Sequence, residues 1–208
     1  MGECREVVVK ISTAHLKKEA LVLFSREIAQ AATGMAPGIT GIVGGRPTVW
    51  PKIRLYSCLV PKTEVSVAVD LGVDKQTVDV ATDGGFEPSQ LIEQSARTAA
   101  PATDTTVPLI QLAWARSGDK GDHTNIGVIA RKAEFVPFIE AALTELAVAE
   151  WMAHTLHPAH GRVTRWALPG FQAFNFLLEH SLGGGGVASL RIDPQGKAFA
   201  QQLLEFPV

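Results

Sequence analysis

The order of apolar and polar positions predicts a strand, a helix and two further strands in the first 72 residues. The β-branched run 7–11 is typical of a strand buried on both faces. Ser12-Thr13 then offers a helix N-cap, and apolar residues recur at helical spacing until Gly34. Segments 53–60 and 64–69 have the composition of strands, and the second alternates apolar with polar positions. Residues 1–72 are therefore expected to form a small α/β domain.

Residues 73–107 lack this regularity. Asp83-Gly84-Gly85 indicates a turn, residues 88–97 fit a short helix, and 99–106 are small and polar around Pro101. We interpret 73–107 as a linker. The alternative is a long surface loop of a single domain.

The pattern becomes regular again from residue 108. Strands are expected at 108–114 and 125–131, joined by a polar loop, followed by helical positions 134–153 with a break at Thr144. A strand at 163–167, a short helix at 170–180, a strand at 187–192 and a final helix ending at Leu204 complete the chain. Residues 108–208 are thus predicted to place helices on one face of a mainly antiparallel sheet, which makes the fold class α+β.

Composition narrows the classes of function. Hydrophobic residues make up 46% and charged residues 19%, which allows a packed core. The net charge of -2 gives no support to a general nucleic-acid binder. Cys4 and Cys58 are too few for a disulfide framework, and neither a signal peptide nor a membrane-spanning run is found, so we expect a cytoplasmic protein. The absence of a dinucleotide or flavin motif predicts no cofactor.

The polar loop 114–125 is the densest group of reactive side chains. Three of its residues could move a proton or bind a divalent cation: Asp119, Asp122 and His123. Six others could hold an anionic substrate, through cations, polar side chains or backbone N–H groups: Arg116, Ser117, Gly118, Lys120, Gly121 and Asn125. Lys120 lies between the two carboxylates and partly neutralises them, which favours an anion over a metal. The remaining alternative is a hairpin loop without function.

Further candidates lie in the C-terminal part. The run of glycines 183–186 would let a ligand approach the backbone at Gly184 and Gly185, with Arg191 as an anion contact. It matches no phosphate-binding motif, and a flexible turn is an equal interpretation. Among the histidines, His180 is the better acid or base candidate, whereas His154, His157 and His160 fit a polar helix end.

Several long motifs resemble one family. LAWARSGDKGDHTNIGVIAR, ALPGFQAFNFLLEHSLGGGG and SLRIDPQGKAFAQQLL look like the C-terminal, ferredoxin-like domain of the acyclic terpene utilization (AtuA) family. VKISTAHLKKEALVLFSREIA and APGITGIVGGRP resemble the end of that family's large N-terminal domain. Family members are typically much longer, so most of the N-terminal domain has no counterpart here.

The resemblance implies a role in the catabolism of branched acyclic acids or of their acyl-CoA thioesters. If the protein is catalytic, the absence of a dinucleotide or flavin motif favours lyase or hydratase chemistry over redox chemistry. It also implies a partner, either a separate chain that carries the missing N-terminal domain or further copies in a homo-oligomer. Two other hypotheses stay open: a non-catalytic assembly or regulatory subunit, and a metal-ion binding module built on the carboxylates and histidine of the polar loop.

Overall fold

A computed structural model describes residues 4–41, 44–85, 87, 89, 99–100 and 102–208. Contacts divide the chain into two units. The first comprises Met1–Leu55 and Ala99–Val208, and the second Tyr56–Thr98. The domain limits expected from the sequence, 1–72, 73–107 and 108–208, stay a prediction.

Helices and strands of the described residues are numbered in chain order. The strands are β1 (Ala68–Asp70), β2 (Lys75–Thr77), β3 (Ala113–Lys120), β4 (His123–Ala130), β5 (Val163–Leu168) and β6 (Ala173–Leu178). The α-helices are α1 (Lys18–Glu27), α2 (Ala31–Gly34), α3 (Val136–Ala142), α4 (Glu145–Trp151) and α5 (Phe199–Leu203). Short 3-10 helices occupy Ile28–Gln30, Lys62–Glu64, Leu109–Gln111, Ala133–Phe135 and Pro169–Phe171.

Strands β3 to β6 form an antiparallel sheet in the order β3-β4-β6-β5. Strands β4 and β5 run in the same direction with β6 between them, and α3 and α4 connect them, which is a split βαβ unit. Val107 and Val208 exchange two backbone hydrogen bonds of 2.9 Å, so the two ends of this region pair with each other. The expected α+β fold with a mainly antiparallel sheet is confirmed.

The core lies on one face of this sheet only. Successive side chains of a strand point to opposite faces, so alternate residues of β3, β4 and β6 face the helices. Buried side chains from the sheet meet others from α3, α4 and α5 in one cluster, which includes Ile126, Val128, Phe174, Phe176, Ile139, Leu143, Val148, Met152, Phe199 and Leu203. The opposite face leaves large apolar side chains exposed, among them Trp114, Ile129, Trp166 and Leu168.

Three predicted elements of the C-terminal part were wrong. The segment 170–180 contains the strand β6 instead of a helix, because pairing with β4 and β5 on both sides outweighs its helical spacing of apolar residues. The segment 187–192 forms turns instead of a strand. The strand expected at 108–114 begins as a 3-10 helix and becomes β3 only at Ala113.

The strand predictions for the N-terminal part were also largely wrong. Residues 7–11 form no strand, and Val7 and Val8 are 77% and 84% exposed. A strand needs a neighbour for its backbone groups, and none of the described residues pairs with this run. The segment 53–60 is likewise without strand structure, and the strand expected at 64–69 is reduced to β1. The helix predicted at 88–97 falls on residues of which only Ser89 is described.

Helical spacing was the more reliable signal in this part. The chain is helical from Lys18 to Gly34, with the 3-10 turn Ile28–Gln30 between α1 and α2. The cap was misplaced, because the residue before α1 is Lys17, whose side chain makes no capping hydrogen bond.

The hairpin of β1 and β2 has an apolar face and a polar face. Ala68 pairs with Thr77, and Val78 N–H donates to Val67 at 2.9 Å, which extends the same register. Alternate positions of β1, β2 and the residues that extend them therefore share a face, which carries Val65, Val67, Val69, Val78 and Val80. All five are between 40% and 58% exposed. We call these five residues the valine face.

The helix break at Thr144 gives a test of the fold. The Thr144 hydroxyl accepts a hydrogen bond from Ala147 N–H at 3.1 Å and caps α4. Thr144→Ala should lower the free energy of unfolding by about 1 kcal/mol. Thr144→Ser, which keeps a hydroxyl at the cap, should retain most of the stability of the wild type. Urea unfolding of the three proteins measures this difference, and equal stability of the alanine variant would show that the cap is unimportant.

Candidate functional site

The polar segment 114–125 is a tight hairpin, which corrects the expectation of a loop between two strands. Lys120 pairs with His123, so only Gly121 and Asp122 form the turn. Gly121 has φ +68° at the first turn position, as a type II′ turn requires. The candidate side chains therefore project from two strands of the sheet and are divided between its faces.

Five of the candidates belong to the face of the sheet that the helices leave open. By strand alternation and register this set comprises Arg116, Gly118, Lys120, His123 and Asn125. Lys120 Nζ donates to its neighbour's carbonyl, Asp119 O, at 3.0 Å. Within the part of the chain that the structure describes, the guanidinium of Arg116 has no hydrogen-bond or ion-pair partner. Asn125 Nδ2 donates to Asn175 Oδ1 at 3.3 Å.

One cation lies next to Gly118, and two others precede and follow it on β3. The Cα atoms of Arg116 and Lys120 lie about 13 Å apart along the strand, at 3.3 Å per residue, with Gly118 midway. Lys197 Nζ lies 3.1 Å from the position that a Cβ atom on Gly118 would occupy, and 3.7 Å from Asp119 Oδ1. Because Gly118 has no side chain, the ammonium of Lys197 can lie close to β3 between Arg116 and Lys120.

Ser117 faces the opposite side, where it is buried. Its hydroxyl donates to Gly196 O at 2.6 Å and accepts from Ala200 N–H at 2.9 Å. The side chain thereby joins β3 to the start of α5. Its predicted role in substrate binding stays a prediction, but its hydrogen bonds in this structure are structural.

Asp122 joins the hairpin turn to the glycine run. Its Oδ1 accepts from Gly184 N–H at 2.6 Å, and its backbone carbonyl accepts from Ser181 and Leu182 N–H at 3.0 and 3.1 Å. Gly185 has φ +79°, and a Cβ atom there would lie 2.7 Å from Gly121 O. The glycine run thus allows a close approach of its backbone to the hairpin, which brings two separately predicted regions together.

The carboxyl of Asp122 also contacts histidine. His180 Nδ1 lies 3.2 Å from Asp122 Oδ2. Burial acts to raise the pKa of Asp122, but the hydrogen bond from Gly184 and the neighbouring His180 and His123 outweigh burial and lower that pKa. Asp122 is therefore a carboxylate at neutral pH.

Four histidines form a continuous series of ring contacts. His123 and His180 lie edge to face with centroids 4.9 Å apart, His180 and His160 are 6.0 Å apart, and His160 stacks on His157 at 4.8 Å. Sequence reasoning missed the last two, since 20 or more residues separate them from His123 and His180. His154 lies apart, with Nε2 2.7 Å from Gln202 Oε1.

The backbone fixes the tautomer of His123. His180 N–H donates to His123 Nδ1 at 2.9 Å, so a neutral His123 carries its proton on Nε2. His180 itself has φ +49°, a conformation that costs energy in a residue other than glycine. The contacts around Asp122 hold this strained residue in place.

Arg191 serves the fold in this structure. Its Nη1 donates to Thr155 O at 2.7 Å and to Ser181 O. Its Nε lies 3.3 Å from the position of a Cβ atom on Gly183. Its predicted contact with substrate stays a prediction.

No group of three or more His, Cys, Asp or Glu side chains among the described residues is arranged to hold a metal ion. Asp119, Asp122 and His123 do not converge, because alternation sends Asp119 to the helix-covered face. None of the helices in the described ranges is long and apolar enough to cross a membrane.

An apolar recess of about 350 Å³ on the open face includes Arg116 in its wall. Its wall is formed by Trp114, Ala115, Arg116, Gly127, Val128, Ile129, Leu168, Phe171, Ala173 and Phe174. A larger open recess of about 780 Å³ runs along residues 60–82 and contains none of the predicted site residues. The smaller recess is therefore the one that the candidate site can use.

Comparison with known families gives one match. The family model described as the AtuA ferredoxin-like domain matches residues 107–208. No curated protein and no solved structure matches the chain.

Ser117 and an exposed serine provide a test of the structural role. Ser117→Ala should lower the free energy of unfolding by about 1–3 kcal/mol, because Gly196 O and Ala200 N–H lose their buried partner. Ser57→Ala, at an exposed position, should change it little. Urea denaturation compares the two variants, and an unaltered Ser117→Ala would contradict the structural role.

The lowered pKa of Asp122 predicts a pH dependence of stability. A folded pKa below the unfolded value of about 3.9 means that the carboxylate stabilises the fold above about pH 4. Asp122→Asn should therefore lower the free energy of unfolding by about 1–2 kcal/mol at pH 7. This value is toward the low end for charged hydrogen bonds, because 34% of the side chain is exposed. The difference should disappear as the pH falls below the folded pKa. Urea titrations at pH 7 and at pH 3 measure it, and a constant difference would exclude ionisation of Asp122 as its origin.

Proposed function

An AtuA ferredoxin-like domain makes up residues 107–208 of this chain, and we propose that the protein is a subunit or C-terminal part of an AtuA-family catabolic protein. Its substrates are branched acyclic acids or their acyl-CoA thioesters. The site lies on the open face of the four-stranded sheet and is completed by a partner chain.

The observation that carries this proposal is the amphipathic character of the open face. The hairpin end carries Arg116 and Lys120, and the other end is the apolar recess beside Trp114. An acid with a branched hydrocarbon chain has the same division between an anionic and an apolar end. Small-molecule sites typically combine an apolar lining with a few placed polar groups, as this face does.

The chemistry proposed is proton transfer next to a carboxyl or thioester group, in a lyase or hydratase reaction. Arg116 and Lys120 orient the acid, the neutral His123 donates a hydrogen bond from Nε2 to the substrate oxygen on which negative charge develops, and the ionised Asp122 takes the proton. Asp122 holds its neighbour His180 at 3.2 Å and is itself ionised. Asp119, which lies 3.7 Å from Lys197, balances the charge of that cation.

Exposed apolar surface supports the proposal of a partner. The run 7–11 and the valine face leave β-branched side chains in water, although such residues are usually buried. Contiguous apolar patches on a protein surface commonly mark interaction sites. A chain that carries an N-terminal AtuA domain is the proposed partner, and a homo-oligomer is the alternative.

The same valine face also favours a second candidate function, a non-catalytic assembly or regulatory subunit. In that case the hairpin end of the sheet would cap the active site of the partner. The third hypothesis, a metal-ion binding module, gains no support from the divided positions of Asp119, Asp122 and His123.

A reconstituted complex tests the catalytic proposal. The Arg116→Ala and Lys120→Ala variants should each lower kcat/KM for a branched acyclic acid about 10- to 100-fold, because each removes a charged contact to the carboxylate. Lys132→Ala serves as the control, since its ammonium pairs with Glu134 instead. Turnover that is unchanged in both site variants would contradict catalysis at this face and favour the assembly role.

A further inference from the structure

We propose that the recess beside Trp114 binds the hydrocarbon chain of a monocarboxylate, whose carboxylate lies over Gly118 and is held by Arg116 and Lys197. This inference rests on the proposed function and deepens it. It assigns the apolar chain to one cavity and adds Lys197 as an anion-binding residue.

The recess has a preformed wall. Arg131 lies over the ring of Trp114, with its Cζ 4.6 Å from the ring centroid, and its Nε donates to Ile110 O at 2.9 Å. The indole is therefore fixed from one side, while 52% of Trp114 is exposed. Phe171 and Leu168 extend the wall from the β5–β6 connection.

The floor of the recess is backbone. Gly127 pairs with Arg116 on β3 and with Asn175 on β6, and it carries no side chain. A Cβ atom there would meet Arg116 O at 3.9 Å, an ordinary van der Waals distance. The position would thus accept a side chain, and the space above it is left for a ligand.

Charge at the rim selects the head group. Arg116 lines the recess and has no ion-pair partner among the described residues. Lys197 Nζ lies 3.1 Å from the Cβ position of Gly118, and its contact with Asp119 Oδ1 is a long 3.7 Å. An exposed pair of this kind contributes little, so Lys197 can exchange Asp119 for a ligand carboxylate at low cost.

The volume of about 350 Å³ lies at the lower end of the range for small-molecule sites, about 300–1,000 Å³. It is too small for a folded partner and fits a hydrocarbon chain of medium length. A single carboxylate next to such a chain matches Arg116 in the wall of the recess and Lys197 beside Gly118.

Calorimetric titration of the full chain with butanoate, hexanoate, octanoate and decanoate, all below micellar concentrations, tests the proposal. Affinity should rise about three- to fourfold per methylene group, the equivalent of about 0.8 kcal/mol. Decanol should bind at least tenfold more weakly than decanoate. Affinity that does not depend on chain length would overturn the proposal.

Variants locate the binding. Gly127→Leu should fill the recess and weaken decanoate binding at least tenfold, whereas Gly41→Leu, with no atom within 4 Å of its Cβ position, should not. Phe171→Ala, at a side chain that is 72% exposed, should weaken decanoate several-fold without affecting folding. Lys197→Gln and Arg116→Gln should each weaken decanoate about tenfold and leave decanol unchanged, with Lys132→Gln as the control. Decanoate binding that is unaffected by both Gly127→Leu and Phe171→Ala would exclude the recess.

The two proposals fail separately. If acids bind with the expected dependence on chain length while the reconstituted complex shows no turnover, the proposal that the recess binds the hydrocarbon chain is supported and the catalytic proposal is wrong. If turnover depends on Lys120 while the Gly127→Leu variant binds decanoate and turns over substrate as the wild type does, the catalytic proposal is supported. The proposal that the recess binds the hydrocarbon chain is then wrong.

Discussion

Hydrogen bonds between Asp122 and the segment that follows β6 determine how the β3–β4 hairpin turn and the glycine run pack together. One residue at the hairpin turn accepts hydrogen bonds from Ser181, Leu182 and Gly184 N–H through its backbone and side-chain oxygens. These contacts hold the glycine run against the turn, where a Cβ atom on Gly185 would collide with Gly121 O. They also hold His180 in a left-handed conformation, and its N–H in turn fixes the tautomer of His123. A charged acceptor is suited to this role, because hydrogen bonds to an ionised group are stronger than those between neutral groups.

The two faces of the sheet that contains this hairpin have different surroundings. Helices α3, α4 and α5 bury one face, and Ser117 connects that face to α5 through backbone partners. The other face stays open and carries large apolar side chains together with Arg116, which has no ion-pair partner among the described residues. An open face with a charged end and an apolar end is a costly surface to leave in water, unless a ligand or another chain covers it. The proposed acid site and the proposed partner are two consequences of this single arrangement.

The N-terminal part differs from this sheet region because its strand-forming apolar residues are exposed. Its helices α1 and α2 form from local spacing, but the β-branched run 7–11 and the valine face are exposed. Two-stranded hairpins are marginally stable in water unless another layer covers them. The valine face therefore has the composition of a core surface, although 40% to 58% of each of its valines is exposed.

The sequence by itself determined local features and the ferredoxin-like domain at its C-terminal end. Helical spacing located α3 and α4, and the break predicted at Thr144 is where the structure has the cap of α4. The motifs around SGDKGD and LGGGG identified the AtuA ferredoxin-like domain that the family model finds at residues 107–208. Only the tertiary structure decided which candidates share a face, that β6 is a strand, and that His157 and His160 reach His180. Helix spacing and caps depend on neighbours within one or two turns, so a sequence can specify them. The face that a strand residue occupies, and whether an apolar run is a strand at all, depend on pairing partners far away in the chain, or in another chain.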